Sequence, residues 1–174
     1  RALRWASDRV GKDGVIAFVS NSAFIDSATA NGVRRALLAE MSDVFVYNLR
    51  GGVRGKSGDI ARREGGNVFD IMTGVAVTIL VKDAAHQGSA RIHYCDVGDS
   101  ESKENKLDKL KSESSILSSS FTELKPNQAD DWINQRDDRF AYYQPLGDKA
   151  TKGQEVTTGA FRHFSLGLAT ARDA

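Results

Sequence analysis

Five cations stand close together in this sequence: Arg50, Arg54, Lys56, Arg62 and Arg63. They share a stretch with glycines 51, 52, 55, 58 and 65. Positive side chains on a glycine-rich loop suit contact with phosphate oxygens, as in nucleic-acid backbones. Asp59 and Glu64 dilute the charge, and a solvated surface loop is the plain alternative. A second polar stretch, Ser20-Asn21-Ser22, follows the apolar run Val15-Ile16-Ala17-Phe18-Val19. In open α/β sheets the working groups lie just past the carboxyl ends of strands. Ser20-Asn21-Ser22 and Arg50-Gly51-Gly52 are therefore expected on one functional edge.

Other chemistries fit less well. Gly51-Gly52-Val53-Arg54-Gly55-Lys56-Ser57 approaches the nucleotide-binding pattern G-x-x-x-x-G-K-[ST], but Arg50 stands where the first glycine is required. Ile60 and Ala61 are isolated among charges, so no apolar helix is expected to follow. His86, His93 and His163 lack metal-ligand spacing, and Cys95 has no cysteine partner. No Ser/His/Asp triad can be assembled from loops so far apart. Asp130-Asp131 and Asp137-Asp138 lie in a polar helical stretch and are expected to be solvated rather than catalytic.

The elements that must position these groups follow from hydrophobic pattern. Leu3, Ala6 and Val10 recur at helical spacing, and Gly11-Lys12-Asp13-Gly14 stops that helix. Residues 15–20 are apolar enough for a strand covered on both faces. Val33, Leu37, Leu38 and Met41 mark an amphipathic helix, and Val44–Leu49 is a second strand. Strand, helix, strand with short joints predicts a βαβ crossover with parallel pairing. Residues 50–67 read as a loop with little to bury. Val75–Val81 and Arg91–Cys95 are two further strands, expected to form a hairpin.

Composition changes near Asp99. Residues 99–120 are mostly Ser, Lys, Glu and Asp, which predicts a surface helix or mobile linker. Trp132, Phe140, Tyr142 and Tyr143 signal renewed packing. Thr157–Ala171 is a glycine-punctuated tail with one apolar face. The 174 residues carry a formal net charge of +1, so global charge selects no partner. One cysteine and no long apolar run make a cytoplasmic setting, without membrane contact, the expectation. A start at Arg1 inside a helical pattern, and no terminating pattern at Ala174, lead us to expect a fragment of a longer protein.

Several segments resemble adenine-N6 DNA methyltransferases. They are Arg4-Trp5-Ala6-Ser7-Asp8-Arg9, the run from Gly14 to Asp26, Leu49-Arg50-Gly51, Arg63-Glu64-Gly65-Gly66-Asn67-Val68-Phe69 and Val77-Thr78-Ile79-Leu80-Val81-Lys82. The resemblance is to the C-terminal half of the catalytic domain, in type ISP single-chain restriction–modification enzymes with a helicase-like motor. Gln144-Pro145-Leu146 and Ser165–Ala174 are similar to the passage into the target-recognition region.

The resemblance implies an α/β fold, the C-terminal part of a Rossmann-like methyltransferase sheet (βαβ plus a terminal antiparallel hairpin) followed by a helical linker. It implies half a catalytic domain over 1–98 and the start of target recognition over 140–174, while composition makes 99–139 a polar helical linker. It places Phe69 where the flipped target adenine stacks, with Asn21 beside the base. A base taken out of the duplex needs a flat apolar partner. An ordinary core aromatic is the alternative for Phe69. Double-stranded DNA is the implied partner, together with the missing N-terminal half of the domain. S-adenosylmethionine is the implied cofactor of the full-length enzyme only. Its glycine-rich loop and the Asn-Pro-Pro-Tyr tetrapeptide are absent here, so no catalytic residue is assigned and the fragment alone is expected to be inactive. A non-catalytic DNA-binding or interdomain docking module of a helicase-like protein is the competing reading, and a nucleotide-binding fragment a third.

Overall fold

The computed structural model describes all residues except 1, 114, 117, 118, 138, 140, 141 and 166–174. Two compact units divide the chain, residues 1–135 and 136–174. In the first, α1 (Ala2–Arg9) leads into β1 (Gly14–Asn21), and two short 3₁₀ turns precede α2 (Asn31–Glu40). Then come β2 (Asp43–Arg50), α3 (Gly58–Glu64), β3 (Val75–Lys82), β4 (Arg91–Asp96), α4 (Lys103–Ser112) and β5 (Thr122–Leu124).

The strands form one five-stranded mixed sheet in the order β1-β3-β2-β4-β5. This corrects two expectations. β1 and β2 run in the same direction but do not pair, because antiparallel β3 lies between them, with Val19 opposite Val77 and Tyr47 opposite Val77. β3 and β4 form no hairpin, since β4 instead pairs with β2 in parallel, Val46 opposite Tyr94. The apolar run of β3 explains its place. Val75, Ala76, Thr78 and Leu80 are buried, which suits a strand with a neighbour on each side and a core on each face.

β1 is also not covered on both faces. It is an edge strand with alternating burial, and Val15 and Val19 remain 62% and 56% exposed. Its inward residues Ile16 and Phe18 join the larger core with Leu37, Leu38 and Met41 from α2 and its end, Val44 and Val46 from β2, and Trp132. Strand alternation sends Tyr47, Leu49, Val75 and Val77 to the opposite face, where Leu110 of α4 and Phe121 cover them.

The compositional break near Asp99 does not separate units. α4 is capped by Ser102, whose Oγ accepts from Asn105 N at 3.1 Å. Lys106 of α4 is fully buried and donates to the carbonyls of Glu64 and Gly66 at 2.8 and 2.7 Å. β5 then adds to the sheet beside β4. A segment with a thin apolar stripe thus packs through an amphipathic lysine, whose stem fills space while its ammonium is satisfied by backbone.

Asp131 is not solvated as expected but 5% exposed, paired with the wholly buried Arg34 at 3.1 Å. Arg34 also donates to the carbonyls of Phe24 and Ser27 at 3.0 and 2.8 Å, and to that of Asp130. Asp138 and Phe140 lie outside the described residues. In the second unit, Tyr142 and Tyr143 are exposed rather than packed. That unit is held by loop pairing: Ala160 N donates to Pro145 O and Phe161 N to Leu146 O, both at 2.8 Å. Much of the apolar tail expected over 157–171 falls outside the described residues.

Candidate nucleic-acid interface

The carboxyl ends of β1 and β2 and the start of β3 meet on one edge. Glycines permit it. Gly74 is buried, and a Cβ there would lie 2.4 Å from Ser22 Oγ; a Cβ on Gly52 would lie 2.9 Å from Gly74 N. With no side chains in the way, Ser22 N donates to Gly74 O at 2.9 Å. The expected coincidence of Ser20-Asn21-Ser22 with Arg50-Gly51-Gly52 is therefore met. Asn21, Ser22, Arg50, Gly52, Arg54 and Lys56 all line one cavity of about 380 Å³.

Asn21 ends β1 at this edge. Its Oδ1 accepts from Ala23 N at 2.7 Å and caps the first 3₁₀ turn. The same residue lines a second cavity of about 180 Å³, shared with Phe69, Ile71, Thr73 and Gly74. Asn21 and Phe69, far apart in sequence, thus border one hollow. Phe69 is 59% exposed. It is not a core aromatic.

The basic segment is more structured than a featureless loop. Residues 58–64 form α3, a short helix without buried residues. Gly51 N donates to Glu64 O at 3.1 Å, and Val53 N and Arg54 N both donate to Met72 O, at 3.0 and 3.1 Å. The first bond closes the basic segment on itself, and the two to Met72 join it to the 67–73 loop. Sequence carries no sign of this mutual bonding, which needs residues 13 to 19 positions apart and leaves no periodicity.

The five cations divide by environment. Arg50 has φ +54 at a register shift in β2, a bulge that re-aims its side chain. Its Nε donates to both Asp96 oxygens at 2.7 and 2.9 Å, and Nη1 donates to Asp99 at 2.5 Å. Lys56 pairs with Glu64 at 2.6 Å. Arg62 sits 3.0 Å from Asp59 and Arg63 4.0 Å from Asp99, all largely exposed. Arg54 is exposed and forms no ion pair among the described residues. Such exposed pairs are weak and open readily to a competing phosphate.

Arg50 and Asp96 face a further hollow of about 660 Å³ with Asn48, Tyr94 and Arg63. Tyr94 donates to Asp96 at 2.8 Å and accepts from Asn48 Nδ2 at 3.0 Å. Burial, with Asp96 adding to it, raises its phenol above the ordinary tyrosine range. It remains a neutral donor at physiological pH. No group of three or more His, Cys, Asp or Glu among the described residues could hold a metal ion. No helix among them is long and apolar enough to cross a membrane.

The chain is similar, over nearly its whole length, to a segment of type ISP restriction–modification enzymes in complex with DNA. The ATP-dependent type ISP enzyme LlaBIII bound to DNA matches 99% of this chain at 44% identity and a TM-score of 0.92. A nuclease-deletion mutant of the type ISP enzyme LlaGI with a DNA substrate mimic matches 85% at 41% identity and a TM-score of 0.78. The DrdV–DNA complex matches 86% at 36% identity and a TM-score of 0.76. This chain spans only 11%, 14% and 15% of those three chains. No protein-family model matches the sequence, and no curated protein does.

Proposed function

We propose that this chain is the part of a type ISP-like restriction–modification enzyme that forms one wall of the target-adenine pocket and a DNA-facing basic loop. Within the intact enzyme it would belong to the adenine-N6 methyltransferase domain, residues 1–98 supplying the late strands and residues from 140 leading toward target recognition. The observation that carries the reading is Phe69. It is a large aromatic left 59% exposed on a short loop, bordering the same hollow as Asn21 at the carboxyl edge of the sheet. An exposed ring that borders a cavity suits a flipped base, for which stacking contributes about 1–3 kcal/mol.

The role of each group follows from its chemistry. Phe69 offers the stacking face. Asn21 keeps its Nδ2 as a donor, since Oδ1 is engaged by Ala23 N. Arg54, Lys56, Arg62 and Arg63 neutralise phosphates, and Arg50, fixed by Asp96 and Asp99, stiffens the base of their loop. S-adenosylmethionine would supply the methyl group in the intact enzyme. The residues present do not fit a site for it, because no glycine-rich strand–turn of the cofactor-binding kind occurs in this sequence. Its contacts, and those of the Asn-Pro-Pro-Tyr motif, would come from the other half of the domain, which is the partner this reading requires. The isolated chain would not methylate DNA.

The test uses the intact enzyme that contains this segment. Sequencing of modified DNA locates the methylated adenine; methylation is assayed on a duplex that keeps that adenine, and base flipping on a second duplex that carries 2-aminopurine in its place. Phe69→Ala should lower methylation while leaving the melting temperature unchanged, and Phe69→Trp should retain much of the activity. Full methylation by Phe69→Ala overturns the stacking role. Unaltered DNA binding with no methylation by the wild-type enzyme would favour a non-catalytic binding module.

A further inference from the structure

We infer that Asn67 is a positioning residue that fixes Phe69 and ties it to the basic loop. This rests on the stacking role of Phe69 proposed above. The Asn67 carboxamide is used at every position. Nδ2 donates to Gly51 O at 3.1 Å and to Thr73 O at 2.7 Å. Oδ1 accepts from Phe69 N at 2.9 Å and, more weakly, from Ile71 N at 3.4 Å. The Asn67 carbonyl accepts from Asp70 N at 3.2 Å, and Asp70 is left-handed at φ +57. One side chain therefore closes the turn that displays Phe69, and fastens that turn to the last residues before the phosphate-facing segment.

Aspartate keeps the two acceptor roles but has no donors, and sets a carboxylate against the carbonyls of Gly51 and Thr73. Glycine at 51 belongs to the same device. It sits at φ +82, and a Cβ there would lie 2.8 Å from Asn67 Nδ2 and 2.9 Å from Asn67 Cα. The basic loop is bonded a second time to the display loop, through Met72 O. Phosphate engagement by Arg54 and Lys56 is thereby linked to the placement of an aromatic ring through rigid backbone contacts.

The experiment compares Asn67→Asp, Gly51→Ala and Phe69→Ala in the intact enzyme, with methylation kinetics on the adenine duplex and fluorescence on the duplex that carries 2-aminopurine in its place. Misplacing the ring by about 1 Å should lower kcat by up to about 100-fold. KM for DNA should change by less than about threefold, because phosphate contacts persist. Flipped 2-aminopurine should fluoresce more brightly in Asn67→Asp than in wild type, since the base leaves the stack without a fixed partner. Wild-type kcat and fluorescence in both Asn67→Asp and Gly51→Ala overturn the inference. If Phe69→Ala alone is silent, the stacking role itself fails; if Phe69→Ala is impaired while Asn67→Asp is not, only the role of Asn67 fails. Should the variants not fold, hydrogen exchange of the wild-type protein decides. The Phe69 amide should be protected although its residue is exposed, and fast exchange there overturns the inference.

Discussion

Arg34 and Asp131 form an ion pair at 3.1 Å across 97 positions of chain, with both side chains almost entirely out of solvent. The pair fastens the segment after β5 to α2 and to the turns after β1. It thereby brings Ile133 to the rim of the cavity that Asn21 and Arg54 line. Breaking a buried pair from one side strands a charge in low dielectric. Asp131→Ala should cost about 3–5 kcal/mol, because Arg34 cannot reach water. Urea denaturation of the chain measures it, and a loss below about 1 kcal/mol would mean that Arg34 is satisfied by carbonyls alone.

The basic segment should show graded hydrogen exchange. Amides of Gly51, Val53 and Arg54 have carbonyl partners and should exchange slowly. Amides of Gly55 and Gly58, exposed and without a backbone partner among the described residues, should exchange fast. Uniformly fast exchange from 50 to 66 would mean a loop with little to bury and no lasting backbone bonds.

Salt dependence of DNA binding should separate the cations of the intact enzyme. Replacing Arg54, Lys56, Arg62 or Arg63 by alanine should each reduce the log–log salt slope by about one. Arg50→Ala should leave the slope nearly unchanged and lower stability instead, since its guanidinium is held by Asp96 and Asp99. A quadruple variant with an unchanged slope would remove these residues from the phosphate interface.

The second unit should loosen in acid. Thr158 Oγ1 at 2.7 Å, Ala150 N at 2.9 Å and Thr151 Oγ1 at 3.0 Å donate to Asp148 and hold its carboxyl below the ordinary aspartate value. The folded value is the lower one. Its contribution is therefore complete above the unfolded value of 3.8 and is lost as pH falls through the folded value. Asp148→Asn should abolish this acid transition. Chemical shifts of Ala150, Thr151 and Thr158, followed from pH 6 downward, read it out.

Most elements are legible in the sequence, because helix and strand periods are local. The 3.6-residue spacing of Leu37, Leu38 and Met41 and the apolar runs of β2 and β3 needed no partners to be read. Their order in the sheet was not legible. Two neighbouring strands suggest a hairpin whether or not they pair, and only burial on both faces sends β3 to the centre between β1 and β2. Likewise Lys106 and Asp131 look like solvated charges in sequence, since the groups that satisfy them lie 40 to 97 positions away.

At the candidate site the division is the same. The sequence by itself determined which groups were available: cations spaced by glycines, an asparagine at a strand end, and an aromatic after Gly65-Gly66-Asn67. Tertiary structure decided which of them are free to act. It bound Arg50 to two carboxylates, left Phe69 exposed beside Asn21, and bonded the Phe69 amide to the Asn67 carboxamide. The physical reason is that charge and ring identity belong to single residues. Exposure and hydrogen-bond satisfaction depend on partners brought near only when the sheet closes.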